Sequence, residues 1–149
     1  MMRLPAAVLF LIASVAVADD AANKKLLKDL EGSYAPVSMT KGGERAPDDI
    51  AKTARFQIKG DTFIFRFGAG KSEEEKTATI ILDTDQKPTA MDMTPKEGPE
   101  AGKPMLGIVK VEKDSVTLCF TDEDKPVRPK DFTSTKENKN YLIVMKKVK

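Results

Sequence analysis

Any chemistry in this 149-residue chain has to be done without histidine, of which there is none. That removes the usual general base, the usual partner that activates a nucleophile and the commonest transition-metal ligand. Catalytic triads and zinc sites of ordinary type are therefore excluded. Cys119 is the only thiol. It would be a reactive thiolate only beside a positive group, and its place in the apolar run from Val116 to Phe120 reads instead as a small residue packed in a strand. Two carboxylate clusters, Asp83-Thr84-Asp85 and Asp122-Glu123-Asp124, carry oxygens of the kind hard cations take, yet neither continues into a glycine-containing loop with a distal glutamate. They read as solvated turn charge, and no metal or cofactor is expected. Paired carboxylates could hydrolyse a glycoside, but the chain has no tryptophan to stack a sugar. Arg128, before Pro129, is the one polar residue singled out. Its planar guanidinium could clamp carbonyls at a barrel end or an acidic side chain such as Asp131, or it could hold an anion at a barrel mouth.

The elements that must carry these residues are strands. Phe56 and Ile58 alternate with Arg55, Gln57 and Lys59, and the Lys59-Gly60-Asp61 corner leads into Phe63, Phe65 and Phe67 alternating with Thr62, Ile64 and Arg66. Strict alternation around a turn whose residues tolerate positive φ predicts a hairpin. Further strands are expected at Gly32 to Thr40, at residues 76–82, at residues 89–94 with Met91 and Met93 on one face, and at Tyr141 to Lys147. The segments Met105 to Val111 and Val116 to Phe120 should form a second hairpin across Glu112-Lys113-Asp114-Ser115. About eight short strands with no crossover helix between them predict an all-β, antiparallel, up-and-down barrel. Phe56, Ile58, Phe63, Phe65 and Phe67, with Met91, Met93 and Met105, form its inward apolar set. They either fill the interior or line a cavity for a small apolar ligand. Lys41 to Lys52, with a helical turn at Pro47 to Lys52, Thr94 to Pro104 and Asp122 to Asn140 read as surface connections.

The N-terminus bounds the compartment. Arg3 precedes an apolar run from Leu4 to Val17 and the small residues Ala16-Val17-Ala18, which is the pattern of a cleaved signal peptide spanning residues 1–18. The mature domain is then residues 19–149, in the periplasm or secreted. A short helix from Ala21 to Leu30 opens it, with Asp19 and Asp20 at its positive end and Leu26, Leu27 and Leu30 on one face. A single cysteine cannot form an internal disulfide, which suits a bacterial envelope. With 25 basic and 23 acidic residues, no field steers the chain to nucleic acid or acidic lipid. The Lys146, Lys147, Lys149 tail reads as solvated.

Several strings resemble a family of exported, uncharacterised lipocalin-like domain proteins expanded in planctomycete bacteria. They are Leu30-Glu31-Gly32, Ile58-Lys59-Gly60-Asp61-Thr62-Phe63, Leu82-Asp83 with Lys87-Pro88, Asp92-Met93-Thr94, Glu97-Gly98-Pro99, Gly102-Lys103, Gly107-Ile108, Leu118-Cys119, Arg128-Pro129, Phe132-Thr133-Ser134 and Leu142-Ile143-Val144. The resemblance runs through the whole mature chain and implies a lipocalin-like barrel and export, but no activity and no catalytic residue. Lipocalin-like first strands commonly carry Gly-x-Trp. Here Gly32-Ser33-Tyr34 stands in its place, which counts against a deep, plugged cavity.

Two functions compete. One is a binding module that holds a small apolar ligand between the phenylalanine face and the methionines. The other is a structural or interaction module whose long segments, Lys41 to Lys52 and Asp122 to Asn140, bind another envelope protein. An enzyme comes third, because the chain is chemically poor rather than because of its fold.

Overall fold

A computed structural model describes residues 15–121 and 127–148. An N-terminal helix α1 (Val15–Leu30) is followed by β1 (Gly32–Lys41), β2 (Glu44–Arg45), α2 (Asp48–Thr53), β3 (Arg55–Lys59), β4 (Thr62–Phe67), β5 (Glu74–Asp83), β6 (Thr89–Pro95), β7 (Gly107–Glu112), β8 (Ser115–Phe120) and β9 (Tyr141–Lys147), with one 3-10 turn at Gly70–Ser72. Every strand pairing is antiparallel. Consecutive strands from β3 to β9 are neighbours, and β1 closes the ring by pairing with β3 on one side and β9 on the other. The result is a closed eight-stranded barrel with β2 as an additional strand on β1.

Register explains which side chains go inside, because directly opposed residues on neighbouring strands share a face. Tyr34 lies opposite Phe56, which lies opposite Phe65. Ile58, Phe63 and Ala78 form the next row, Ile80 opposes Met93, and Leu82 opposes Met91. Val109, Leu118, Ile143 and Met39 continue the same face around the wall to β1. The period-two pattern therefore closes on itself, and these residues make one contiguous core. The outward positions alternate with them: Ile81, between Ile80 and Leu82, is 60% exposed.

The helix α1 covers one end. Leu26, Leu27 and Leu30 pack on the core, and the Tyr34 hydroxyl donates to the Leu30 carbonyl at 2.6 Å. Burial pushes the Tyr34 hydroxyl above its ordinary pKa, so the donor keeps its proton. Three further tethers fix the helix to the same rim: Gly60 N donates to Glu31 Oε1 at 3.0 Å, Thr84 N to Asn23 Oδ1 at 2.9 Å, and Lys147 Nζ to the Asp29 carbonyl at 3.5 Å. Tyr34 thus helps close this end jointly with the helix.

Two sequence expectations are corrected, and a third is met. The described helix runs from Val15 to Leu30 rather than from Ala21, so in the untrimmed chain Asp19 and Asp20 lie within it. Asp20 pairs instead with Lys24 one turn on, at 3.2 Å and largely in solvent, a contact worth a few tenths of a kcal/mol. The segment after β1 is structured: Gly42 and Gly43, at φ +56° and +82°, turn the chain back so that Glu44 and Arg45 pair with Lys41 and Thr40. The expected helical turn is α2, with Pro47 at its N-cap and Asp48 and Asp49 in its first turn. The signal sequence falls largely on residues 1–14, and the cluster Asp122-Glu123-Asp124 falls wholly on residues 122–126; both ranges lie outside the described residues.

Candidate functional site

The end of the barrel opposite α1 is the candidate site. Here β1, β4 and β8 end and β9 begins, and the interior row changes from fully buried to half-buried side chains. Phe56, Ile58, Phe63, Met91 and Met93 are buried in the packed interior. Phe65, Phe67 and Met105 are only partly buried. The phenylalanines step outward as a stack. Phe56 and Phe63 are tilted with ring centroids 5.6 Å apart, Phe56 and Phe65 stack at 5.0 Å, and Phe65 and Phe67 stack at 4.9 Å. On the facing wall Phe120 stacks on Tyr141 at 5.0 Å. Met105 joins the wall through a reciprocal pair of backbone bonds with Met93, at 2.7 and 3.0 Å.

A cleft of about 370 Å³, open to solvent, lies in this mouth. Met39 from β1, Phe65 from β4 and Tyr141 and Ile143 from β9 form its walls, and Ala46, Pro47 and Ile50 from the β2–α2 segment cover it. Lys41, Glu44 and Arg45 line its rim. The cover is held by backbone bonds, Ala46 N to the Met39 carbonyl at 2.9 Å and Ala54 N to the Ile50 carbonyl at 2.8 Å, and by Gly68 N donating to Thr53 Oγ1 at 2.8 Å. Of the eight residues expected to line an interior cavity, only Phe65 lines this cleft. Phe56, Ile58, Phe63, Met91 and Met93 act as packing. The alternation rule places a residue inside or outside, but says nothing about its depth along the barrel axis. Met39, Tyr141 and Ile143 were missed for the same reason, although alternation in β9 carried the facing of the last two, and Ile50 was missed because it lies on α2, where strand alternation says nothing.

Arg128 sits on the outer wall. Asp92 alternates with Met91 and Met93 and lies opposite the exposed Ile81, so its carboxylate faces outward, and Arg128 reaches it from the segment after β8. Arg128 Nη1 lies 2.5 Å from Asp92 Oδ1 and donates to the Gly107 carbonyl at 2.8 Å, while Nη2 reaches Asp92 Oδ2 at 3.3 Å. The clamp expected of Arg128 is present, on a carbonyl and a carboxylate, but the carboxylate is Asp92 and not Asp131. Asp131 instead accepts from Thr133 Oγ1 at 2.6 Å. With both side chains about a quarter exposed, the pair is dry enough that removing one charge strands the other. Arg128→Met is expected to cost about 2 kcal/mol, and Asp92→Asn in the same chain to recover part of it. Urea unfolding of the two single variants and the double variant measures this. A loss below about 0.5 kcal/mol would make the pair an ordinary surface contact.

Behind this clamp, residues 127–140 strap the outer faces of β7 to β9. Lys110 lies 5.1 Å from the Phe132 ring, and Ser134 Oγ donates to the Asn140 carbonyl and accepts from Gly43 N, tying the strap to the β1–β2 turn. Cys119 is fully buried beneath it, its thiol donating to the Thr133 carbonyl at 3.5 Å. Burial pushes the thiol above its ordinary pKa, the opposite of what a nucleophile needs. A second, more polar cleft of about 380 Å³ opens beside the strap between Thr121, Arg128, Asp131 and Asn140. The carboxylate of Asp83 is used locally, accepting from Asp85 N at 3.1 Å and from Gln86 Nε2 at 3.3 Å. Among the described residues no cluster of three or more cysteine and acidic side chains is arranged to hold a metal, and no helix is long and apolar enough to cross a membrane.

The decisive feature is a barrel closed at one end by its own helix and open at the other into an apolar cleft. No protein-family model, curated protein or solved structure matches this chain.

Proposed function

We propose that the chain is exported, trimmed after Ala18, and works without catalysis as a barrel that captures a small apolar ligand at its open mouth. The single observation behind this is the covered apolar cleft between Met39, Ile50, Phe65, Tyr141 and Ile143, whose volume falls at the small end of ligand sites, roughly 300–1,000 Å³. Cleavage after Ala18 is compatible with the fold, because Leu26, Leu27 and Leu30, which close the far end, all remain. The resemblance to exported lipocalin-like domains points the same way.

The competing reading, a scaffold that binds another envelope protein through residues 41–52 and 122–140, is weakened by how the backbone of the described parts of those segments is tied to the barrel. Residues 44–53 fold down as the cover of the mouth, and residues 127–140 are strapped to the wall.

The test is titration of the mature protein with a neutral apolar dye such as N-phenylnaphthylamine, beside Ala46→Trp. The indole would fill the cleft from its cover without touching the packed interior. The dye should brighten with the wild type, and Ala46→Trp should weaken binding about tenfold or more, equivalent to about 1.4 kcal/mol, with an unchanged circular dichroism spectrum. Absence of binding, or equal binding by the folded variant, would overturn the proposal.

A further inference from the structure

Resting on that reading, we infer that the mouth takes a short alkyl chain, hydrocarbon end first, and that Ile143 sets how long that chain can be. The depth of the cleft selects hydrocarbon. Met39, Ile50, Phe65 and Ile143 line it, and none of their side chains carries a nitrogen or oxygen. A polar group carried to the bottom would give up its water without finding a partner among them, so the polar end of a ligand stays at the solvent edge.

Strand register gives the depth at which the chain must stop. Along β9 the inward residues are Tyr141, Ile143 and Met145, opposite Phe120, Leu118 and Val116 of β8. Tyr141 and Ile143 line the cleft, and Met145 does not. Exposure falls in the same order: Tyr141 is half-buried, Ile143 is 6% exposed and Met145 is 0% exposed. On β1, Met39 lies opposite Ile143 and Pro36 opposite Met145. Val116, Leu118 and Met145 are all buried in the core, so the interior beyond the Ile143 row is filled. Across the mouth the lining ends in the same way at Phe65, because Phe63, the next inward residue of β4, is packed.

Floor and wall differ in compliance. Phe65 is stacked with both Phe56 and Phe67, and Ile143, branched at Cβ, has few rotamers open to it. Neither swings aside. Met39 is unbranched and adapts its shape to what lies against it. The cleft is therefore tolerant of width and strict about length. Ile143 is the limiting residue of the two, because trimming it opens space toward the aliphatic Leu118 and Met145, whereas behind Phe65 stands a second ring, Phe56.

The experiment is a titration of the isotope-labelled mature protein with the neutral straight-chain alcohols from butanol to decanol, followed by NMR at Met39, Ile50 and Ile143. The shared uncharged head leaves chain length as the variable. Affinity should rise about fourfold with each added methylene and then stop rising at a break within the series. Ile143→Ala should move the break about one or two carbons longer, into the space that the deleted groups leave. The milder Ile143→Val should raise affinity for the first alcohol past the break about twofold, and Ile81→Ala on the outer wall should leave the break in place. A rise that continues through decanol overturns the length limit while leaving mouth binding intact. So does a break unmoved in both Ile143 variants, or a uniform weakening of every alcohol, which is what a merely structural role would give. Failure of all the alcohols to bind overturns mouth binding as well.

Discussion

Phe56→Ala is expected to destabilise the barrel by about 4 kcal/mol, the range for deleting a fully buried aromatic side chain. Phe56 is 2% exposed and is the ring through which the inner face is joined up: it opposes Tyr34 on one neighbour and Phe65 on the other, and touches Phe63 as well. Its loss leaves a void between three rings that the strand backbone is too constrained to close. In urea the midpoint should fall markedly while the slope stays constant. Ile81→Ala, on the outer face of β5, should change stability by less than about 0.5 kcal/mol. Comparable losses at the two positions would mean that the inside and outside of the wall have been exchanged.

Gly107→Ala should be nearly as damaging, about 3 kcal/mol, for a steric reason. A methyl group there would sit 2.8 Å from the Met91 carbonyl oxygen, 2.8 Å from Phe120 Cβ and 2.9 Å from the Cys119 carbonyl oxygen. Two of these are backbone atoms held in the adjoining strands, so β7 itself has to move. Its carbonyl is also the second acceptor of the Arg128 clamp, and any displacement of the strand loosens that clamp. Gly60→Ala provides the contrast. Gly60 has φ +57° with nothing near its missing methyl, so only conformational strain of about 1 kcal/mol is expected. Thermal unfolding of the two variants should rank Gly107→Ala well below Gly60→Ala. The reverse order would show that packing at β7 is looser than its contacts imply.

These two positions also show how far the sequence can be read. Alternation at Phe56-Ile58 and Phe63-Phe65-Phe67 specified the hairpin and its inward face, because a half-buried strand has no other way to hide every second residue. The same alternation treats Phe56 and Phe65 alike. Only the closed ring, with α1 over one end, makes the first a core residue and the second a wall of the mouth. Gly107 carried no legible warning, since its crowding comes from Met91 and Cys119 on the two flanking strands. Arg128 was legible as a clamp from its chemistry, but its partner is 36 positions away on β6, and proximity in sequence favoured the wrong carboxylate. β2 was invisible because two residues make no period, and it exists only because Gly42 and Gly43 reverse the chain. The cover of the mouth, and with it most of the candidate site, follows from that reversal.

The claim that the barrel is solid through its depth and receptive only at its mouth can be tested at its methionines, which mark both regions. With methyl-labelled methionine and the neutral dye, the Met39 resonance should shift on binding while those of the buried Met91 and Met145 stay in place. Shifts of similar size at Met91 and Met145 would put the ligand inside the barrel and contradict the account.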